Sequence, residues 1–176
     1  MVATVHPLAT DAALKTLDEG GNAVDAALTA AITLGVVDGY NSGIGGGCFI
    51  LIRTPNGQFL AIDGRETAPR AATAQMYYRE GQPDTELSQL GALASGTPGA
   101  VAAYHLAWRK AGRLDWKSHF GEAIRLARDG FVISDRYARL LADRKELFEK
   151  FPASQQLFIR DGQTLTSGEV LLQADL

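Results

Sequence analysis

Apolar residues follow two rhythms along the chain. In TVHPLATDAALKTLDEGG, Thr10 is placed to cap a helix, Ala13, Leu14 and Leu17 share a face, and Gly20-Gly21 stops the run. This pattern predicts a short amphipathic helix. NAVDAALTAAITLGVV starts on Asn22 with Asp25 three residues on, and Val24, Leu28, Ala31, Ile32 and Gly35 recur at helical spacing with almost no charge around the circumference. That helix is predicted to be buried, its alanines allowing close approach to a neighbouring layer. The rhythm then changes. Residues 48–52 and 59–62 are continuous apolar runs joined around Asn56-Gly57, a dipeptide favoured in hairpin turns, and they predict an antiparallel hairpin. Because the runs are continuous instead of alternating, the sheet is expected to be covered on both faces, within a layered α and β domain.

Beyond the hairpin the helical rhythm returns. Thr97 and Pro98 open a helix on which Val101, Tyr104, His105 and Trp108 share a stripe, ended by Gly112. Phe120, Ala123, Ile124 and Ala127 form a second stripe closed by Gly130. Ser134 and Asp135 begin a third helix that carries Tyr137, Leu140, Leu141 and Phe148 as far as Pro152. FIRDGQTL predicts a small hairpin turning at Asp161-Gly162. With no internal repeat and no linker, residues 1–176 read as a single unit without an internal boundary.

At 176 residues and 46% hydrophobic, the chain can bury one sizeable core. A net charge of −3 with interspersed signs leaves no basic stripe, which argues against nucleic acid or an anionic membrane as partner and for a small molecule. The lone Cys48 rules out an internal disulfide framework. With only His6, His105 and His119 beside it, no metal-ligand spacing appears, and neither metal nor cofactor is implied. No run reaches the roughly 20 apolar residues of a membrane span, and the first residues lack the pattern of a secretory leader, whose removal would leave the compartment open.

The stretch FLAIDGRETAPR carries an apolar strand straight into Asp63, Arg65 and Glu66 before Pro69. Arg65 reads either as a surface ion-pair partner of Asp63 or Glu66, or as an anion anchor at a strand end. The two carboxylates have the spacing of an acid/base pair, but they flank an arginine that would hold both ionised, which favours a positioning role. The glycines of NSGIGGGCF, residues 41–49, follow a helix and precede a strand, the reverse of a phosphate-binding loop, so they read as close-packing residues lining a pocket wall. Cys48 reads as a small packed hydrophobe, His105 as a core histidine, and His119 in WKSHF as a surface residue at a helix start. The residues alone give a site for an anion and no group to transform it.

The ordered blocks MVATVHPLAT, EGGNAVDAAL, SGIGGGCF, DGRETAP, ASGTPGAV and AIRLARDGF resemble the first half of the large subunit of bacterial gamma-glutamyltranspeptidases, over essentially the whole chain. Glutaryl-type cephalosporin acylases and a capsule poly-gamma-glutamate depolymerase look similar over this stretch. The resemblance implies an α+β fold, the αββα sandwich of N-terminal nucleophile hydrolases, of which this chain is the N-terminal portion with incomplete sheets. It implies a precursor that cleaves itself, with the new N-terminal threonine of the small subunit attacking a gamma-glutamyl amide such as glutathione. The acyl group then passes to water or to an amino acid or peptide acceptor. Arg65 falls on the arginine expected to bind the glutamyl α-carboxylate, with Asp63 and Glu66 as groups that orient it. The chain departs from relatives at Asp38-Gly39-Tyr40, where a proline is common. It ends at LLQADL, so the nucleophile is expected outside it and these residues alone are expected to be inactive; the alternative is a binding module without catalysis. A periplasmic or secreted location is suggested by the resemblance only.

Overall fold

The computed structural model describes residues 1–176, and the contacts group them into two compact units, Met1–Gly43 with Trp108–Leu176, and Ile44–Ala107. The sequence predicts one unit. One boundary falls inside the glycine-rich run of residues 42–47, which the sequence reads as packing glycines and not as a linker, and the other falls inside a continuous helix.

In the first unit, α1 (Pro7–Asp18) begins earlier than the sequence predicts. His6 is the cap, its Nδ1 accepting the Leu8 N–H at 3.3 Å, and Pro7 occupies the first turn, where a missing N–H costs nothing. Thr10 therefore lies inside the helix and its hydroxyl meets that of Thr4 at 2.8 Å. The second helix, α2 (Ala23–Val37), starts as predicted on a reciprocal capping box between Asn22 and Asp25. The two helices pack through Ala13, Ala26 and Ala30, with Val2 and Leu17 at the margin, so small side chains set a close approach.

Four further helices lie in the same unit. α4 (Gly121–Asp129) buries Ala123, Leu126 and Ala127 and leaves Ile124 exposed, a face rotated from the predicted stripe. α5 (Asp135–Ala142) is capped by Ser134, whose Oγ accepts the Tyr137 N–H at 3.2 Å. The predicted long helix breaks after α5, resumes as α6 (Lys145–Glu149), and Pro152 starts α7 (Pro152–Phe158) where the sequence places a stop. The FIRDGQTL hairpin is present as β6 (Ile159–Arg160) and β7 (Gln163–Thr164), with Asp161 at φ 50° and Gly162 at φ 75° in its turn. A pairing that the sequence does not announce joins β5 (Phe131–Val132) to β8 (Val170–Leu171).

The second unit is built on β1 (Cys48–Arg53) and β2 (Phe59–Gly64), antiparallel from Cys48 opposite Gly64 to Arg53 opposite Phe59. Their connection is a turn closed by the Gly57 N–H on Thr54 O, with Pro55 inside it and Gly57 at φ 85°. Within this chain the hairpin is not covered on both faces. Cys48, Ile50, Ile52, Leu60 and Ile62 turn inward, whereas Phe49, Leu51 and Phe59 are 72%, 69% and 67% exposed, so the strands alternate in burial although their composition does not. α3 (Ala100–Ala111) buries Ala100, Ala103 and Ala107 and exposes Val101 and His105. His105 is thus no core histidine: the predicted stripe of larger residues gives way to an alanine stripe that lets the helix backbone come close. A minor hairpin, β3 (Tyr78–Arg79) with β4 (Gln82–Pro83), completes the unit.

Candidate functional site

Arg65 is the first residue past β2, and Asp63 turns the chain there by accepting the Arg65 backbone N–H on Oδ1 at 2.9 Å. Glu66 reaches the side chain itself, with Oε2 at 3.3 Å from Arg65 Nη1. That contact pairs the charges but lacks hydrogen-bond alignment, so Glu66 Oε2 stays buried without a hydrogen bond. The Arg65 side chain is 61% exposed, which leaves its planar fork open to a ligand.

The backbone around this arginine is clasped on both sides. Thr67 and Thr97 exchange N–H to O bonds of 3.2 and 2.8 Å, and Gly46 O accepts from both Gly99 and Ala100 at 3.1 Å. Glycine is demanded where the segments touch. A Cβ on Gly47 would lie 2.6 Å from Glu66 Oε2 and 2.7 Å from Gly64 O, and one on Gly99 would lie 2.4 Å from Gly64 O. Three separate sequence blocks, SGIGGGCF, DGRETAP and ASGTPGAV, thereby meet at one place. The close packing falls on Gly46 and Gly47, while Gly45 faces open space.

Cys48 sits on the inward face of the hairpin, partly buried. Burial, reinforced by the Glu66 charge, pushes its thiol above the ordinary range and keeps it protonated, which suits a packing residue and not a nucleophile. Burial likewise raises Tyr104.

A second polar cluster, in the first unit, was missed by the sequence reading. His119 is fully buried and not a surface residue: Nδ1 lies 3.1 Å from Thr29 Oγ1, and Nε2 faces Asp25 Oδ1 at 3.5 Å without a hydrogen bond. Asp25, also fully buried, accepts backbone N–H groups from Asn22 at 2.9 Å, Arg113 at 3.0 Å and Leu114 at 3.3 Å. Burial lowers the His119 pKa against the opposing pull of Asp25 and Asp115, so the imidazole is neutral at pH 7. With no access to solvent, the cluster ties α2 to the 112–119 segment and presents nothing to a substrate.

The solved structure of the gamma-glutamyltranspeptidase of Helicobacter pylori matches this chain with a TM-score of 0.94 at 37% identity, over 98% of this chain and 50% of that one. The transpeptidase enzyme CapD of Bacillus anthracis matches with a TM-score of 0.82 at 31% identity, over 99% and 54%. The fold is therefore α+β, of the N-terminal nucleophile hydrolase type. The gamma-glutamyltranspeptidase family model matches residues 9–176, and the glutathione hydrolase proenzyme of Escherichia coli K12 is 42% identical over 178 residues. The chain belongs to the gamma-glutamyltranspeptidase family. It spans 31% of the length of the Escherichia coli relative, which itself covers all of this chain.

Proposed function

We propose that the chain forms part of a gamma-glutamyltransferase or glutathione hydrolase, in which Arg65 binds the α-carboxylate of the gamma-glutamyl group. The observation that carries this reading is an exposed guanidinium at the end of a hairpin, on a backbone that pairs through Thr67 with Thr97. Two parallel charge-assisted bonds would hold the far end of the substrate while the amide is attacked, a geometry that the point charge of lysine cannot reproduce. Glu66 steers the fork, and Asp63 sets the turn that displays it.

The reacting hydroxyl belongs to an N-terminal threonine outside these residues, freed when a proenzyme cleaves itself into large and small subunits. Its α-amine takes the hydroxyl proton as oxygen adds to the amide carbon. The amine leaves with a proton, and the resulting gamma-glutamyl ester is opened by water or by the amine of an amino acid or peptide acceptor. The 176 residues alone release no product in this scheme.

The test is release of p-nitroaniline from gamma-glutamyl-p-nitroanilide by the whole gene product. Loss of two charge-assisted bonds at about 1.5–3 kcal/mol each predicts a KM raised roughly 100-fold or more in Arg65→Ala, with partial recovery in Arg65→Lys. An unchanged KM would remove Arg65 from the site. Preference for glutaryl-p-nitroanilide, which keeps the carboxylate and lacks the α-amine, would transfer the assignment to an acylase.

A further inference from the structure

A cavity of about 420 Å³ between the residue 39–41 turn and helices α5, α6 and α7 has no role in the reading above. Its size is that of a small-molecule site. One wall is apolar, formed by Leu140 with Phe148 and Phe158, whose rings pack at 4.8 Å. Tyr40 also lines the cavity, set edge-on against buried Tyr137 at 5.0 Å.

Both charged residues on the lining are arginines, Arg136 and Arg144, and no carboxylate lines the cavity. The Arg136 guanidinium lies over the Tyr40 ring at 5.9 Å from its centre, a cation–π contact that places the charge beside the cavity. The support beneath is rigid. Buried Asp38 accepts from Ser42 Oγ at 3.3 Å and from Asn41 Nδ2 at 3.5 Å, and its carbonyl accepts the Asn41 and Ser42 N–H groups, which fixes the turn that carries the ring.

We infer that this cavity binds a small aromatic carboxylate, its ring against the wall of Leu140, Phe148 and Phe158 and its carboxylate on Arg136 and Arg144. A neutral ligand would draw nothing from the two guanidinium charges, and an aliphatic acid would leave the aromatic wall uncovered. The volume accommodates one ring with a short side chain and is too small for a folded peptide element.

The experiment is calorimetric titration of the whole gene product with 3-phenylpropionate, with 3-phenylpropanol and propionate as controls. Saturable one-to-one binding is expected, at least 10-fold weaker for either control. The exposed changes Arg136→Gln and Arg144→Gln should together weaken 3-phenylpropionate at least 10-fold while leaving gamma-glutamyl-p-nitroanilide hydrolysis unaltered. Absence of saturable binding, as when another part of the protein fills the cavity, overturns the inference. So does equal affinity for the alcohol, or indifference to the two substitutions. Because the readout is binding, failure of the gamma-glutamyl assignment leaves this result independent.

Discussion

Gly45 and Gly47 are neighbours in one run, yet only the second is sterically committed. Adding a methyl group at Gly47 drives it into the Glu66 carboxylate and Gly64 O, whereas at Gly45 it meets open space. Gly47→Ala is expected to cost about 1–3 kcal/mol, the range of overpacked sites, and Gly45→Ala to stay within about 0.5 kcal/mol. Urea unfolding of the two variants side by side checks this; equal losses would mean that the glycines act only through chain flexibility. The position of Arg65 at a strand end was legible in the sequence because a charged trio follows an apolar run. The loss of alignment between its guanidinium and Glu66 was not, since residue order fixes adjacency and says nothing of angle. Asp25 was read only as a cap partner. Its second set of donors comes from residues 113 and 114, a separation that no local pattern can report.

Among the elements, α2 carries the heaviest polar burden for the most apolar sequence. Asp25→Asn would replace a full acceptor by an amide whose NH₂ faces backbone donors, and a loss of about 1.5–3 kcal/mol is expected in thermal or urea unfolding. His119 adds a pH dependence of definite sign. Its folded pKa lies below the ordinary 6.5, so on acidification through 6.5 the unfolded chain takes up a proton that the folded chain refuses. Stability should therefore fall as pH drops below 6.5 and level off once the folded pKa is passed. His6, whose Nδ1 must stay unprotonated to cap α1, is lowered by burial too and contributes in the same direction. Melting temperatures from pH 8 to pH 5 test this, and a flat profile, or one unaffected by His119→Asn, would refute it. Helix existence was readable from spacing, but helix faces were misassigned in α3 and α4. There the buried stripe is made largely of alanines, which hydropathy ranks below the valine and isoleucine left outside.

For the whole molecule, the prominent feature is the uncovered hairpin face of Phe49, Leu51 and Phe59. Left bare, such a face and its strand edges favour association. The 176-residue chain expressed alone is expected to self-associate at micromolar concentration in sedimentation velocity, and Phe49→Ser with Leu51→Thr to shift it towards monomer. A monomeric parent chain with a sharp melt would contradict that expectation. The continuous apolar runs announced a hairpin, but the cover expected on both of its faces is absent from the outer one within these residues. Division into two units was half marked in the sequence: the boundary at Gly43 lies in a glycine-rich loop, whereas the one at Ala107 lies within a helix, where composition carries no marker.

The β1 and β2 register also makes the hairpin a usable lever. Its exposed turn around Asn56 lies at one end of the ladder and Arg65 just past the other, roughly 20 Å apart for six paired residues. The single native thiol, Cys48, is partly buried and held protonated, so Asn56→Cys would take a maleimide dye selectively near neutral pH. A fluorophore there would sit outside the proposed substrate site and on the same stiff strands, reporting by energy transfer on a labelled gamma-glutamyl ligand as it arrives at the arginine.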